Sequence, residues 1–339
     1  MMWTEEKLDA LLTDPSNALV EDVKKIKGDI MILGAGGKMG PTLCVLAKKA
    51  AEKAGVKKKV TAVSRFSDPF AAELLNRNNV DTISCDLLDK EKLYALPEAD
   101  NVIFMAGRKF GTDGSEWLTW AMNATLPAFA ADKFRRSNIV VFSSGNIYPM
   151  VPVSSGGCRE SDKAGPVGEY AMSCLARERA FEYAANQYGT KVLIFRLNYA
   201  VDLRYGVLYD LAARIMKDEP IRLATPCLNC IWQGSANEMA IRSLLHASSP
   251  AKILNVTGPE TVSVRNAALE LGGYLGKEPV FEGTEGTDAL LSDSSEALKA
   301  FGEPSVSVKT LIRWQAEWIL DGGRALGKPT HFEERKGSF

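Results

Sequence analysis

The stretch Asp29–Gly40, DIMILGAGGKMG, constrains this chain most: a short apolar run meets Gly34, Gly37 and Gly40, and Pro41 opens an apolar-periodic segment. That order reads as a first strand, a tight turn and a helix. Gly34 and Gly37 take backbone angles denied to side chains and let the main chain approach a pyrophosphate, while Gly40 lets the helix pack closely on the strand. Lys38 and Met39 belong to the same cofactor turn. Pro41 suits the first helical turn, whose unpaired amides point at an anion. Leu43, Leu46, Ala47, Ala50 and Ala54 keep helical spacing, and Gly55 offers a stop. Glycine triplets also occur in bland loops; the strand before and the helix after make this one a dinucleotide site.

The remaining composition narrows the class. With 339 residues, 46% hydrophobic and 24% charged, the chain is long enough for a large core in one or two domains. A formal net charge of -1 gives no basic footprint for nucleic acid or an anionic membrane. No run of about 20 apolar residues appears, and the charged N-terminus lacks a signal-peptide core, so a cytoplasmic protein is expected. Six cysteines show no disulfide spacing, and Cys44, Cys85 and Cys174 fall in element interiors. Cys227 and Cys230 form a CxxC without a second pair, and His246 and His331 are the only histidines. Ordinary reduced thiols and no metal are the expectation.

Alternating signals predict strands at 29–34, 59–64, 80–84, 101–106, 138–143, 191–196 and 252–256, with helices at 41–54, about 68–78, 116–135 and 169–188. Such alternation implies an α/β fold, a Rossmann-type doubly wound parallel sheet covered on both faces. Residues 29–196 form the nucleotide-binding domain in this reading. From about 197 the pattern loosens into helices separated by Pro- and Gly-containing turns, giving a smaller, mixed C-terminal substrate lobe over 197–339, with a late strand at 252–256 returning to the sheet. Residues 1–28 read as one or two added helices, starting near Thr4 or Asp14–Pro15.

The second strand bears on cofactor choice. It ends in Ser64 and Arg65, about 25 residues past Gly40, where an NAD site usually places an acidic residue against the ribose. A guanidinium and a hydroxyl there suit a 2'-phosphate, which favours NADP, with NAD as the alternative and a solvated strand-end Arg as the bland one. Asp86, beside Leu87 in SCDLLD, either accepts from an adenine amino group or caps the helix beginning near Asp89.

Several motifs in order resemble one family over roughly 28–320: the extended short-chain dehydrogenases/reductases of the NAD-dependent epimerase/dehydratase type. They are the glycine turn, MAG at Met105–Gly107, Asn123 in the following helix, FSSGNIY at Phe142–Tyr148 and GEY at Gly168–Tyr170. NVTGPETVSV at Asn255–Val264 and LSDSSEA at Leu291–Ala297 resemble the family's C-terminal lobe. The resemblance implies that Tyr170 is the acid/base moving a proton at a substrate oxygen while nicotinamide moves a hydride. Ser144 would support the oxygen being transformed. Cofactor contacts are implied along Met105, Ala106, Gly107, Asn123, Ser143, Tyr170, Cys174 and Asn198, and a homodimer is the expected assembly.

One position departs from that pattern. The family places a Lys four residues after the Tyr, where its ammonium lowers the phenol pKa; here that residue is Cys174, which has no fixed charge. Three readings follow. Another cation substitutes, with Lys109 first and Arg108 and Arg177 behind it, since Arg177 is expected to pair with an acidic neighbour. Alternatively the chemistry shifts and Tyr170 only donates a hydrogen bond, or catalysis is given up and an NADP-binding regulator remains.

Ser144, Asn146, Tyr199, Arg204 and Trp232 are the candidate substrate contacts, with Tyr205, Gln233 and Asn237 near them. Arg204, Arg214, Arg222, Arg242 and Arg265 form no recognisable cluster for a diphosphate. The expected function is therefore an NADP-dependent oxidoreductase or epimerase on a small sugar-like hydroxyl or carbonyl compound: a sugar, sugar acid, lactone or nucleotide-sugar. His331 reads as a surface or interface residue.

Overall fold

Each predicted strand forms. The computed structural model, which describes residues 2–328 and 330–338, has β1 (Ile30–Leu33), β2 (Val60–Ser64), β3 (Asp81–Ser84), β4 (Asn101–Phe104), β5 (Asn138–Ser144), β6 (Lys191–Leu197) and β7 (Lys252–Val256). They make one sheet in the order β7-β6-β5-β4-β1-β2-β3, parallel throughout. The central strands are apolar without alternation because helices cover both faces. Strand order reverses between β1 and β4, and the crevice above their carboxyl ends is where such sheets bind ligands.

Two helices precede the sheet: α1 (Glu5–Leu12), capped by Thr4, and α2 (Asn17–Lys25), capped by Ser16 rather than begun at Asp14–Pro15. Leu19, Val23 and Ile26 of this extension join the sheet core. Trp3, Leu8 and Leu12 join the core of the second lobe, where Trp3 meets Trp314 edge-on at 5.3 Å. The extension therefore fastens the two cores together.

Helices α3 (Gly40–Lys53), α4 (Pro69–Arg77) and α5 (Lys90–Tyr94) link the first strands. The single helix expected over 116–135 is instead α6 (Glu116–Trp120), a π-helical turn at Ala121–Thr125 and α7 (Leu126–Lys133). Pro127 has no N–H for the Asn123 carbonyl, so the ladder widens there. α8 (Gly168–Tyr188) follows β5.

Beyond β6 come α9 (Val207–Met216), α10 (Gln233–Arg242), α11 (Val264–Leu275), α12 (Ser295–Phe301) and α13 (Val308–Leu320). α9, α11 and α13 pack together as the second core. After α13 the chain returns across this lobe: Thr330 donates to Asp210, Phe332 is buried, Glu333 pairs with Arg214 and Arg335 with Asp288. Among the described residues no helix is long and apolar enough to cross a membrane.

Candidate active site

The glycine turn is built by close approach. Gly34 has φ +86°, and a Cβ there would lie 2.5 Å from the Ala106 nitrogen, so buried Ala106 acts as packing behind the turn. A Cβ on Gly40 would lie 2.4 Å from the Ala35 carbonyl oxygen, the tight helix-on-strand contact expected of it. Gly37 differs from expectation: its φ is not positive, and a Cβ would meet only the Gly34 oxygen at 3.5 Å. Glycine at that position leaves room for a ligand rather than relieving backbone strain. The sequence reading passed over Gly36, whose added Cβ would sit 2.6 Å from the Ser64 hydroxyl. No side chain caps α3 behind Met39, so its first amides stay open toward an anion.

At the end of β2, Arg65 is exposed, with Nη1 3.8 Å from Asp86 Oδ2. Asp86 accepts the Leu88 amide, and Asp89, not Asp86, caps α5. Leu87 is buried.

Ser144 closes β5, and Tyr170 stands in the first turn of α8, hydrogen-bonded to Ser144. The Ser144 hydroxyl also donates to Asn146 Oδ1 at 3.0 Å and accepts the Asn146 amide. Burial pushes the Tyr170 phenol well above its ordinary pKa, while Arg177 and the Ser144 bond act against that rise. Cys174, one turn on, is fully buried; burial raises its thiol too, and it bonds to Tyr170. Lys109 reaches in from the loop after β4, its Nζ 5.6 Å from the Tyr170 ring centroid. Burial lowers its pKa to about 8, with Cys174 and Asp210 partly opposing the fall.

The other two cations have structural duties. Arg177 does not pair with an acidic neighbour: it donates to the Phe142 carbonyl at 2.8 Å and to Asn123 Oδ1 at 2.7 Å. Arg108 donates to the Gly111 carbonyl. Asn123, on the π-helical turn, is completely buried, taking the Arg108 amide and donating to the Arg108 carbonyl and to Ser173. It ties the β4 loop to α8 and does not line the cleft, so a direct cofactor contact is corrected to a positioning role.

A cleft of about 730 Å³ opens over these residues. Gly34, Gly37, Lys38, Met39, Gly40, Met105 and Gly107 line one side; Ser143, Ser144, Asn146, Tyr170, Asn198 and Tyr199 line the next. Asn198 is buried and donates to Asn229. Lys38 lies over the Tyr205 ring at 3.4 Å and near Phe110 at 4.7 Å. Gly327, Lys328, Thr330 and His331 of the C-terminal segment complete the wall. His331, with its ring 5.7 Å from Phe110, is the exposed residue expected, and it stands at the cleft.

Two substrate candidates fall elsewhere. Trp232 is 2% exposed and stacks edge-on with Trp314 at 5.9 Å inside the second core, so no sugar face reaches it. Arg204 lies outside this cleft, with its guanidinium committed to Asp202, Glu5 and Asp9. The other second-lobe arginines are closed in the same way: Arg214 by Glu333, Arg222 by Glu282, Arg242 by Asp22 and Glu238, and Arg265 by Glu285. Asn237 and Gln233 both donate to Thr42, and Gln233 also lines the cleft. Cys227 and Cys230 are buried free thiols.

Sequence reasoning also missed a buried polar layer. Ser143 donates to Glu178, Glu178 pairs with Arg196, and Arg196 donates to the Tyr148 hydroxyl. Its signal was a lone Arg inside the apolar run VLIFRL.

The NAD dependent epimerase/dehydratase family model matches residues 30–251. Among solved structures, Pal from Bacillus thuringiensis superposes with a TM-score of 0.72 at 16% identity, covering 86% of this chain and 99% of its own. A Thermus thermophilus UDP-glucose 4-epimerase in complex with NAD gives 0.69 at 18%, covering 85% and 98%. A dTDP-glucose 4,6-dehydratase from Bacillus anthracis, also with NAD, gives 0.72 at 12%, covering 87% and 97%. No curated protein matches the chain.

Proposed function

The chain belongs to the NAD dependent epimerase/dehydratase family, and on that premise we propose that it is an NADP-using oxidoreductase or epimerase acting on a sugar-like hydroxyl or carbonyl. The observation that carries the reading is Lys109 over the ring of Tyr170 at 5.6 Å. An ammonium on that side of the ring favours the phenolate over the phenol, as the Arg177 charge also does, against the rise that burial imposes. That is the service the family's missing Lys performs, supplied here from the β4 loop instead of from α8.

Tyr170 moves the proton at the reacting oxygen, and Ser144, its oxygen held by the Asn146 amide, turns its one O–H from Asn146 Oδ1 to the same oxygen as charge develops. The dinucleotide fits the open space at Gly37 and the uncapped start of α3. Ser64 and Arg65 would hold its adenosine end, and the exposed Arg65 guanidinium suits a 2'-phosphate. When bound, the nicotinamide supplies the hydride donor or acceptor.

Replacing Lys109 by Met in the purified protein tests the assignment. Turnover of a sugar or sugar-acid substrate falls by about 100-fold, with NADPH affinity followed by nicotinamide fluorescence unchanged. Full activity in Lys109→Met overturns the role of Lys109, and failure to bind either NADPH or NADH overturns the enzyme reading.

A further inference from the structure

Three lysines from separate parts of the chain converge on one wall of the cleft: Lys38 from the glycine turn, Lys109 from the β4 loop and Lys328 from the C-terminal segment. Lys38 and Lys109 both stand over the Phe110 ring, at 4.7 and 5.5 Å, and burial first, then the charges of Lys109 and Lys328, bring the Lys38 pKa down to about 7. Among the described residues lining this cleft there is no Asp or Glu; Lys38 and Lys328 also border an adjoining pocket that carries Glu6, Asp68 and Glu73, and Glu5, Asp9 and Asp202, which Arg204 already holds. Asp210 is the carboxylate whose charge reaches Lys38 and Lys109, and it sits behind the wall, accepting both the amide and the hydroxyl of Thr330.

This is the reverse of the second lobe, where every arginine weighed as a diphosphate ligand is already closed by a carboxylate. Gathering like charges in a partly dry cleft is unfavourable, and an anionic ligand relieves it. The positive wall belongs to the same cleft as Ser144 and Tyr170: Lys38, on the glycine turn, serves the dinucleotide as well, while Lys328, on the C-terminal segment, is left to an anion on the molecule being transformed. Its outer member, Lys328, is exposed and stands on a segment anchored by Thr330, Phe332 and Glu333.

We propose that Lys38 and Lys328 form a subsite for one compact anionic group, a carboxylate or a phosphate monoester, on a small polyhydroxylated substrate, and that the enzyme does not act on a nucleotide-diphosphate sugar. The proposal rests on reading this cleft as the site of a nicotinamide-dependent reaction. It names the substrate class: sugar acids or sugar phosphates.

The experiment is calorimetric titration of the full chain loaded with NADP+ against matched sets: glucose, glucuronate, glucose 6-phosphate and UDP-glucose, and the same four in the galacto series. One acid or one phosphate binds at least about tenfold tighter than its neutral parent, a difference of about 1.4 kcal/mol; which of them does so separates carboxylate from phosphate. In Lys328→Met, an exposed substitution, that advantage disappears while the neutral sugar and NADPH bind as before. The subsite is overturned if neutral and anionic members bind alike, if none binds, if UDP-sugars bind best, or if the advantage survives in both Lys328→Met and Lys38→Met. Loss of NADPH and NADH binding in the unaltered protein sinks the parent reading instead, so the two failures are told apart.

Discussion

A buried cation and a half-buried one approach α8 two turns apart, and the protein holds them in opposite ways. Arg196, from β6, gives Glu178 a two-pronged hydrogen bond, Nε to Oε1 at 3.0 Å and Nη2 to Oε2 at 2.7 Å, and donates to the Tyr148 hydroxyl at 2.6 Å. Burial alone lowers its pKa, yet Glu178 and Tyr148 outweigh that and the net shift is upward. Lys109 lies over Tyr170 near the start of the same helix, and there burial wins, bringing its pKa down to about 8. One cation is locked by a matched carboxylate, and the other is left within reach of titration. A fixed charge serves architecture; a charge poised near neutral pH serves proton chemistry.

The largest effect expected at the tuned end is that of Tyr170→Phe. Loss of a positioned acid/base lowers turnover by on the order of 10²–10⁴, with fold and NADPH affinity retained. A Tyr170→Phe protein with every function intact would instead mark a cofactor-binding regulator. At the locked end, Glu178→Gln leaves Arg196 buried without its counter-charge and destabilises by about 3–5 kcal/mol in urea unfolding. If that substitution cost less than about 1 kcal/mol, the contrast between the two ends would fail, since the carboxylate would then not be what holds Arg196.

A smaller effect separates the ends by pH. The folded pKa of Lys109, near 8, is below its ordinary 10.5, so between those values the unfolded chain binds the extra proton. The penalty of burying the charged lysine is complete below about pH 8 and is relieved as pH rises toward 10.5. Stability measured against Lys109→Met therefore improves with pH across that window. Activity moves the other way: kcat/KM falls above about pH 8 as the ammonium is lost, and Lys109→Arg restores turnover while removing that limb, because a guanidinium does not titrate there. An unchanged limb in Lys109→Arg assigns it to another group.

The comparison also shows what was legible beforehand. The seven strands and the glycine turn were readable because each is fixed by neighbours within a few residues, through apolar runs, turn chemistry and helix starts, whereas Ser144 and Tyr170 were named only from the resemblance of FSSGNIY and GEY to family motifs. Trp232 and Arg204 were misplaced, and the place of the exposed His331 at the cleft went unseen, because their surroundings come from far along the chain. Trp232 lies in a core assembled from Trp3 to Phe332, Arg204 is closed by Glu5 and Asp9, and His331 joins the cleft by way of the returning C-terminal segment. Lys109 was named from the convergence of strand ends, a topological rule, whereas its contact with Tyr170 needed side-chain geometry. The break at Ala121–Thr125 was written in Pro127, but a continuous apolar pattern masked it.

Arg65 sharpens the contrast from outside the core, as a cation that is neither locked nor buried. Its side chain is 67% exposed, and it pairs among the described residues with Asp86 at 3.8 Å, beyond hydrogen-bond reach. Such a surface pair is worth little, so the guanidinium can turn to a phosphate at small cost. Exposure also screens the gain: replacing Arg65 by Ala weakens NADPH binding by about tenfold, roughly 1.4 kcal/mol, and leaves NADH binding unchanged. Raising salt from 50 to 500 mM narrows the NADPH preference of the unaltered protein without touching the pH limb of Lys109, since a buried charge is screened much less. Equal losses for both cofactors in Arg65→Ala would remove Arg65 from 2'-phosphate recognition and return the choice of cofactor to NAD, leaving the assignment at Tyr170 and Lys109 as it stands.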